Sequence, residues 1–315
     1  MPTVASALRK ADLLLRQAGR ESPERDSRLL LSEASGRDLS FLLAHPEFEI
    51  KPEDLNRFEL WIRQRAEGKP IAYLTGHQEF YGRDFVVSPA VLIPRPETEM
   101  LIEQALRILA PARQEERRGA SRANLDTSLL PSPIWIADVG TGSGCIAVTL
   151  ALEIPWARIL ATDISAAALA VARKNARIHR VSHRVQFHHA DLLPSGAARL
   201  DVIVSNPPYV AREDPSLAAE VRDHEPQEAL FAGKNGLETY ARLVPEALCR
   251  LKAGGWLILE LGYHSEEKVR SLFDPSQWRS VETFPDLQGI PRCLVARREG
   301  DTDNAEDTEI RGQTP

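Results

Sequence analysis

The chain has 315 residues, 43% apolar and 27% charged, with a formal net charge of −6, which is enough for a sizeable core in more than one domain. The acidic balance argues against counterion release on a nucleic-acid backbone as the dominant mode of binding. No run approaches the roughly 20 apolar residues of a membrane span, and the opening MPTVASALRKADLLLRQAG mixes charges into its apolar positions, unlike a signal peptide.

Cys145, Cys249 and Cys293 lie far apart with no CxxC pairing, so neither a disulfide framework nor a zinc site is signalled and a reducing, cytoplasmic compartment is expected. Residues 1–72 read as a small helical domain. Ser22 is placed to cap a helix with Pro23 at its first position and Gly36 just past its end. Pro52 opens another that stops at Gly68, with Leu55, Phe58, Trp61, Ile62 and Ala66 forming an apolar stripe read as core packing. Residues 73–95 form a linker in which EFYGRDFVV, two strand-like runs around Gly82, predicts a hairpin joining two domains.

From Pro96 to about Ala110 an amphipathic helix opens the second domain, 96–298. Residues 112–133, polar, aperiodic and rich in Ser, Arg and Pro, read as a flexible surface insertion, and 299–315 as a disordered tail. Apolar runs at 134–139, 158–162, 185–189, 200–205, 255–260, 280–284 and 293–297 alternate for most of their length with helical segments near 144–152, 165–178, 237–249 and 265–273. That alternation predicts an α/β domain with a mostly parallel sheet covered on both faces, its last two strands antiparallel.

The first of these strands runs into ADVGTGSGCIA, where Gly140, Gly142 and Gly144 precede a helix start, a local arrangement that brings backbone N–H groups close to a ligand. A dinucleotide fingerprint would need a third glycine at 145, which is Cys145. Asp138, two residues ahead of Gly140, suits a cationic amino group better than a pyrophosphate. Asp163 ends the second strand, where it can accept both hydroxyls of a ribose or cap the helix that follows, and Asp191 stands at the same edge after the third, where a base is expected. A ligand with a ribose, a base and a cationic amino-acid part is S-adenosyl-L-methionine (AdoMet). The fourth strand ends in SNPPY, 205–209, where two prolines fix their own φ, hold Asn206 out of the helical region and remove two backbone donors. It reads either as a rigid rim of acceptors or as a loop that merely ends a strand.

Through DVGTGSG, Asp163, Asp191 and the Asn-Pro-Pro-Tyr run, the chain resembles the seven-stranded AdoMet-dependent methyltransferases. More closely it resembles the bacterial protein-(glutamine-N5) methyltransferases of peptide chain release factors, through SPERDSRLLL, GKPIAYLTGHQEFYGRDFVVSPAVLIPRPETE, IVSNPPYV and EPQEALFAG. The resemblance covers nearly the whole chain, and 112–133 and the tail are departures that touch no motif. It implies a Rossmann-like catalytic domain behind a helical substrate-docking domain, with class I release factors as partners of a monomeric enzyme that has no membrane or direct nucleic-acid partner. It further implies that Gly140, Thr141, Gly142, Ser143, Gly144, Asp163, Leu192 and Asn206 line the cofactor site, with Asp138 and Asp191 beside them, and that Asn206, Pro207, Pro208 and Tyr209 hold the glutamine. Leu192 stands where some relatives carry a bulkier aromatic.

An amide nitrogen is a poor nucleophile because its lone pair is delocalised into the carbonyl. The Asn206 side-chain oxygen and the Pro207 carbonyl can each accept one N–H of a planar amide, aim its nitrogen and stabilise the charge that grows on it, with Tyr209 as a flat wall. No general base and no metal are assigned. An adenine N6 would suit the same acceptors, but an enzyme acting on it would be expected to carry a basic groove for nucleic acid. A non-catalytic AdoMet-binding adaptor is the other alternative.

Overall fold

The structure, a computed structural model, describes residues 1–120, 133–196, 199–215 and 217–300. Five helices come first: α1 (Val4–Gln17), α2 (Pro23–Ser35), α3 (Leu39–Ala44), α4 (Pro52–Ala66) and α5 (Ile71–Thr75). A reciprocal bond pair starts α1, the Ser6 N–H donating to Thr3 Oγ1 and the Thr3 N–H to Ser6 Oγ. Proline opens α2 and α4, where its missing N–H is not needed, and Gly36 ends α2 in the left-handed region with φ 62°. Ser22 stands at the N-cap as expected, but its side chain makes no capping bond. Its ψ of 62° is far from the extended value that aims a serine oxygen at the first turn. The predicted stripe of α4 faces Val4, Leu15, Leu30 and Leu31, with Phe58 and Ile62 buried and Leu55, Trp61 and Ala66 partly so.

The hairpin follows as β1 (His77–Phe80) and β2 (Arg83–Val86), joined by Tyr81 and Gly82, both at positive φ as a two-residue turn requires. Phe80 and Phe85 point into the core of the second domain. A 3-10 turn (Pro96–Thr98) leads into α6 (Glu99–Ala120). This corrects the sequence expectation of a loop from 112. The helix runs on to Ala120 past Pro111 and Gly119, in a stretch whose other residues, Ala, Arg, Gln and Glu, are strong helix formers even where no apolar stripe marks them. The rest of the expected insertion, 121–132, and the tail from 301 lie outside the described residues.

The sheet comprises β3 (Trp135–Val139), β4 (Arg158–Asp163), β5 (Val185–His189), β6 (Leu200–Ser205), β7 (Leu251–Glu260), β8 (Trp278–Pro285) and β9 (Pro291–Arg298), in the order β5-β4-β3-β6-β7-β9-β8. The first five strands are parallel, while β9 runs antiparallel to both β7 and β8. Their connections carry α7 (Cys145–Glu153), α8 (Ala166–Ile178), α9 (Ala219–His224), α10 (Gln227–Leu230), α11 (Glu238–Arg250) and α12 (Glu266–Arg270). Because β4 lies on one side of β3 and β6 on the other, the chain reverses direction at β3. The crevice at the carboxyl ends of β3 and β6 is therefore the place in such a sheet where ligands bind.

Candidate functional site

A cavity of about 460 Å³ opens in that crevice. One wall is the glycine loop after β3. Gly140 and Gly142 hold φ of 74° and 53°, and a Cβ on either would meet no atom, so the bare backbone faces open space. Thr141 and Ser143 line the same wall. Gly144 does not. A Cβ there would stand 3.0 Å from the Cβ of Ala172, so this glycine is needed for the close packing of α8 against the loop.

Asp163 lines the cavity at the end of β4. Its Oδ2 accepts the Gly142 N–H at 2.8 Å and its Oδ1 the Ser165 N–H at 2.8 Å, so it braces the glycine loop and the start of α8. The helix cap itself is Ser165, which accepts from the Ala168 N–H. Burial raises the pKa of Asp163, and the two N–H groups oppose that rise. Asp191 and Leu192 close the far end. Asp191 is half exposed and pairs with Arg242 of α11 at 2.5 Å, and Leu192 sits at φ 66°, an unusual value for a branched side chain.

Asp138 departs from expectation. It is fully buried beneath the loop rather than on the cavity wall, its Oδ2 accepting from Thr141 Oγ1 at 2.6 Å and the Ala147 N–H at 3.0 Å. Its Oδ1 is buried with no hydrogen-bond partner among the described residues, and burial pushes its pKa up to about 7. The open glycine cradle, where bare backbone meets open space, fits the close approach of a nucleoside ligand.

Asn206, Pro207 and Pro208 line the opposite side of the cavity. The Asn206 Nδ2 donates to Thr98 Oγ1 at 3.1 Å, leaving Oδ1 to accept from a ligand. Tyr209 is not on the wall. Its ring lies so close to Gly262 that a Cβ there would come within 2.8 Å of it, and its hydroxyl donates to Glu260 at 3.3 Å. The flat wall expected of Tyr209 is thus absent from the cavity, because the ring turns under the loop.

The reading from sequence assigned no role to four side chains on or just behind this wall. Arg95 lines the cavity and pairs with Glu225, whose other oxygen accepts the Ile93 N–H at 3.1 Å. Thr98, on the cavity wall, donates to Glu260 Oε2 at 2.6 Å, and Glu260 itself is only 2% exposed. The sequence carried one usable signal, since Glu260 is an acid closing an apolar strand, as Asp163 does and Asp138 nearly does.

Residues 6–76 match the family model of the PrmC N-terminal domain and 124–223 that of the methyltransferase small domain. A release factor glutamine methyltransferase of Koribacter versatilis is 42% identical over 94% of this chain and 99% of its own length, and one of Moorella thermoacetica is 40% identical over 94% and 99%. A bifunctional methyltransferase of Rickettsia felis is 35% identical over 93% of this chain, which spans 58% of that protein. Among solved structures, the hMettl16 catalytic domain is similar in fold, with a TM-score of 0.52 at 16% identity over 80% of this chain and 84% of that one. The chain belongs to the release factor glutamine methyltransferases.

Proposed function

We propose that this chain transfers a methyl group from AdoMet to the side-chain amide nitrogen of the glutamine in the Gly-Gly-Gln motif of class I peptide chain release factors. The observation that carries the reading is the placement of Asn206 on the cavity wall with its Nδ2 donating to Thr98, which leaves Oδ1 able to accept from a substrate. AdoMet supplies an electrophilic methyl on a sulfonium. Gly140 to Ser143 and Asp163 would hold the nucleoside part, and Asp138 supports the loop from beneath. Asn206 Oδ1 and the Pro207 carbonyl each take one N–H of the substrate amide, which directs its nitrogen lone pair to the methyl. As the N–C bond forms and the S–C bond breaks, these two acceptors stabilise the positive charge developing on nitrogen, and a proton then leaves to solvent. Pro207 and Pro208 keep the acceptors in place because their φ angles are fixed by their rings.

In this reading residues 1–72 dock the folded release factor and 96–298 perform the chemistry, with the hairpin region 73–95 between them. The enzyme works as a monomer in the cytoplasm without a nucleic-acid substrate, consistent with the net charge of −6 and with the lack, among the described residues, of a helix long and apolar enough to cross a membrane. The test is a competition in which labelled AdoMet is offered together with a class I release factor and an adenine-containing duplex. Label on the protein supports the reading. Label on the oligonucleotide overturns it in favour of adenine methylation, and AdoMet binding without transfer to either would mark a non-catalytic adaptor.

A further inference from the structure

Behind the Asn206 side chain runs a buried relay of three polar groups. Asn206 Nδ2 donates to Thr98 Oγ1 at 3.1 Å, the Thr98 hydroxyl donates to Glu260 Oε2 at 2.6 Å, and Tyr209 donates to Glu260 Oε1 at 3.3 Å. Thr98 is 3% and Glu260 2% exposed, so water does not substitute for these bonds at either residue. The two ends of an asparagine amide have nearly the same shape, and only its hydrogen-bond partners decide which end points where. An ionised carboxylate can only accept. Thr98 has a single hydroxyl proton, and if that proton goes to Glu260, Thr98 has only lone pairs to offer Asn206. The Asn206 NH₂ must then face Thr98 and its oxygen must face the other way, toward the cavity.

We propose that Glu260 is a positioning residue which, through Thr98, fixes the acceptor end of Asn206 toward the methyl-accepting amide. The inference deepens the reading of this site as an amide methyltransferase and rests on it. Protonation of Glu260 reverses the polarity of the relay. A neutral carboxyl donates to Thr98, Thr98 donates to Asn206, and the flipped Asn206 presents N–H groups to a substrate that itself needs acceptors. Burial pushes the Glu260 carboxyl up to about 7, against the hydrogen bonds from Thr98 and Tyr209, so the reversal falls in an accessible range. The groups that face Glu260 are Glu97 from the 3-10 turn, Arg292 and Cys293 from β9, Cys145 from α7, Tyr209 from the loop after β6 and Tyr240 from α11. Burial raises the pKa of both cysteines and both tyrosines, so these four stay neutral while Glu260 titrates.

The test uses the full chain and the variants Glu260→Gln, Thr98→Val and Thr98→Ser. Gln at 260 can donate to Thr98 and so permits the reversed relay, and Val at 98 removes it. Both should lower kcat on the order of 10²-fold, leave the affinity for S-adenosylhomocysteine unchanged by calorimetry, and lack the acidic limb near pH 7 that is expected in the wild-type kcat profile. Thr98→Ser, which keeps the hydroxyl, should restore kcat to within a few-fold of wild type. A second arm needs no methyl acceptor and stands even if the release-factor reading fails. In wild type bound to S-adenosylhomocysteine, the ¹³C carboxyl signal of Glu260 and the ¹⁵N side-chain signal of Asn206 should titrate with one shared midpoint. The proposal is overturned if Glu260→Gln keeps the wild-type kcat and pH profile, or if the Asn206 signal does not follow the titration of Glu260.

Discussion

Single side chains at this site do more than one job, which is why the sequence disclosed their presence better than their duties. Asp163 was legible as a strand-end acid, yet the bonds from Gly142 and Ser165 to its two oxygens depend on how the glycine loop folds back over β4. Asp163→Ala should therefore weaken AdoMet by roughly 1.5–3 kcal/mol in calorimetry and also lower Tm; loss of Tm with unchanged affinity would leave it a brace alone. Asn206→Ala should slow single turnover on the order of 10²-fold with cofactor affinity intact, because the lost acceptor acts on charge that exists only in the transition state. An unchanged rate would remove Asn206 from the mechanism. Asp138 carries a pH signature. Burial raises it from 3.8 to about 7, so the native state holds the proton more tightly than the unfolded state and stability falls as pH rises between those values. Glu260, raised from 4.5 to about 7, adds a slope of the same sign. Asp138→Asn, neutral throughout, should lose part of the fall in Tm expected of wild type between about pH 5 and pH 8, and an unaltered slope would mean that Asp138 does not titrate there.

The strands of the sheet were readable because each is a short apolar run between breaks, and their parallel order followed from the helices between them. What could not be read was any bond made between elements distant in sequence. Asn175, buried in α8, accepts from the Val86 N–H at 2.9 Å and donates to the Val86 carbonyl at 2.9 Å and the Ser143 carbonyl at 2.8 Å, tying β2 and the glycine loop to one helix. An asparagine in a run of Ala, Arg and Lys gives no sign of this in the sequence, since its partners lie 89 and 32 residues away. Asn175→Ala removes the partner of three backbone groups, the Ser143 carbonyl in a buried bond and the Val86 N–H and carbonyl in partly buried ones, and a loss of about 3 kcal/mol in chemical denaturation is expected. AdoMet affinity should fall as well, because the loop loses its anchor. The end of α6 has the opposite cause: its run is polar and lacks an apolar stripe, yet most of its residues are good helix formers.

Over the whole molecule, a largely buried cation ties the helical module to the active-site side of the catalytic domain. Arg65, 11% exposed at the end of α4, holds Asp26 of α2 at 2.6 Å and Glu220 of α9 at 2.7 Å. Helix α9 lies in the segment that follows the Asn-Pro-Pro-Tyr loop, so the clamp links the proposed docking module to the chain that carries the acceptors. Arg65→Met leaves Asp26 buried without its partner, a cost of about 3 kcal/mol. At a temperature where the variant stays folded, kcat/KM should fall about tenfold or more on an intact release factor, equal to about 1.4 kcal/mol, and much less on a short Gly-Gly-Gln peptide that does not reach the helices. Equal losses on both would mean the clamp serves stability only. The identity of the accepting atom decides what the enzyme does. Labelled methyl transfer to a purified class I release factor, with the product mapped by mass spectrometry, should place one methyl on the side-chain nitrogen of the Gly-Gly-Gln glutamine, whereas a methyl at any other residue would contradict the proposed function.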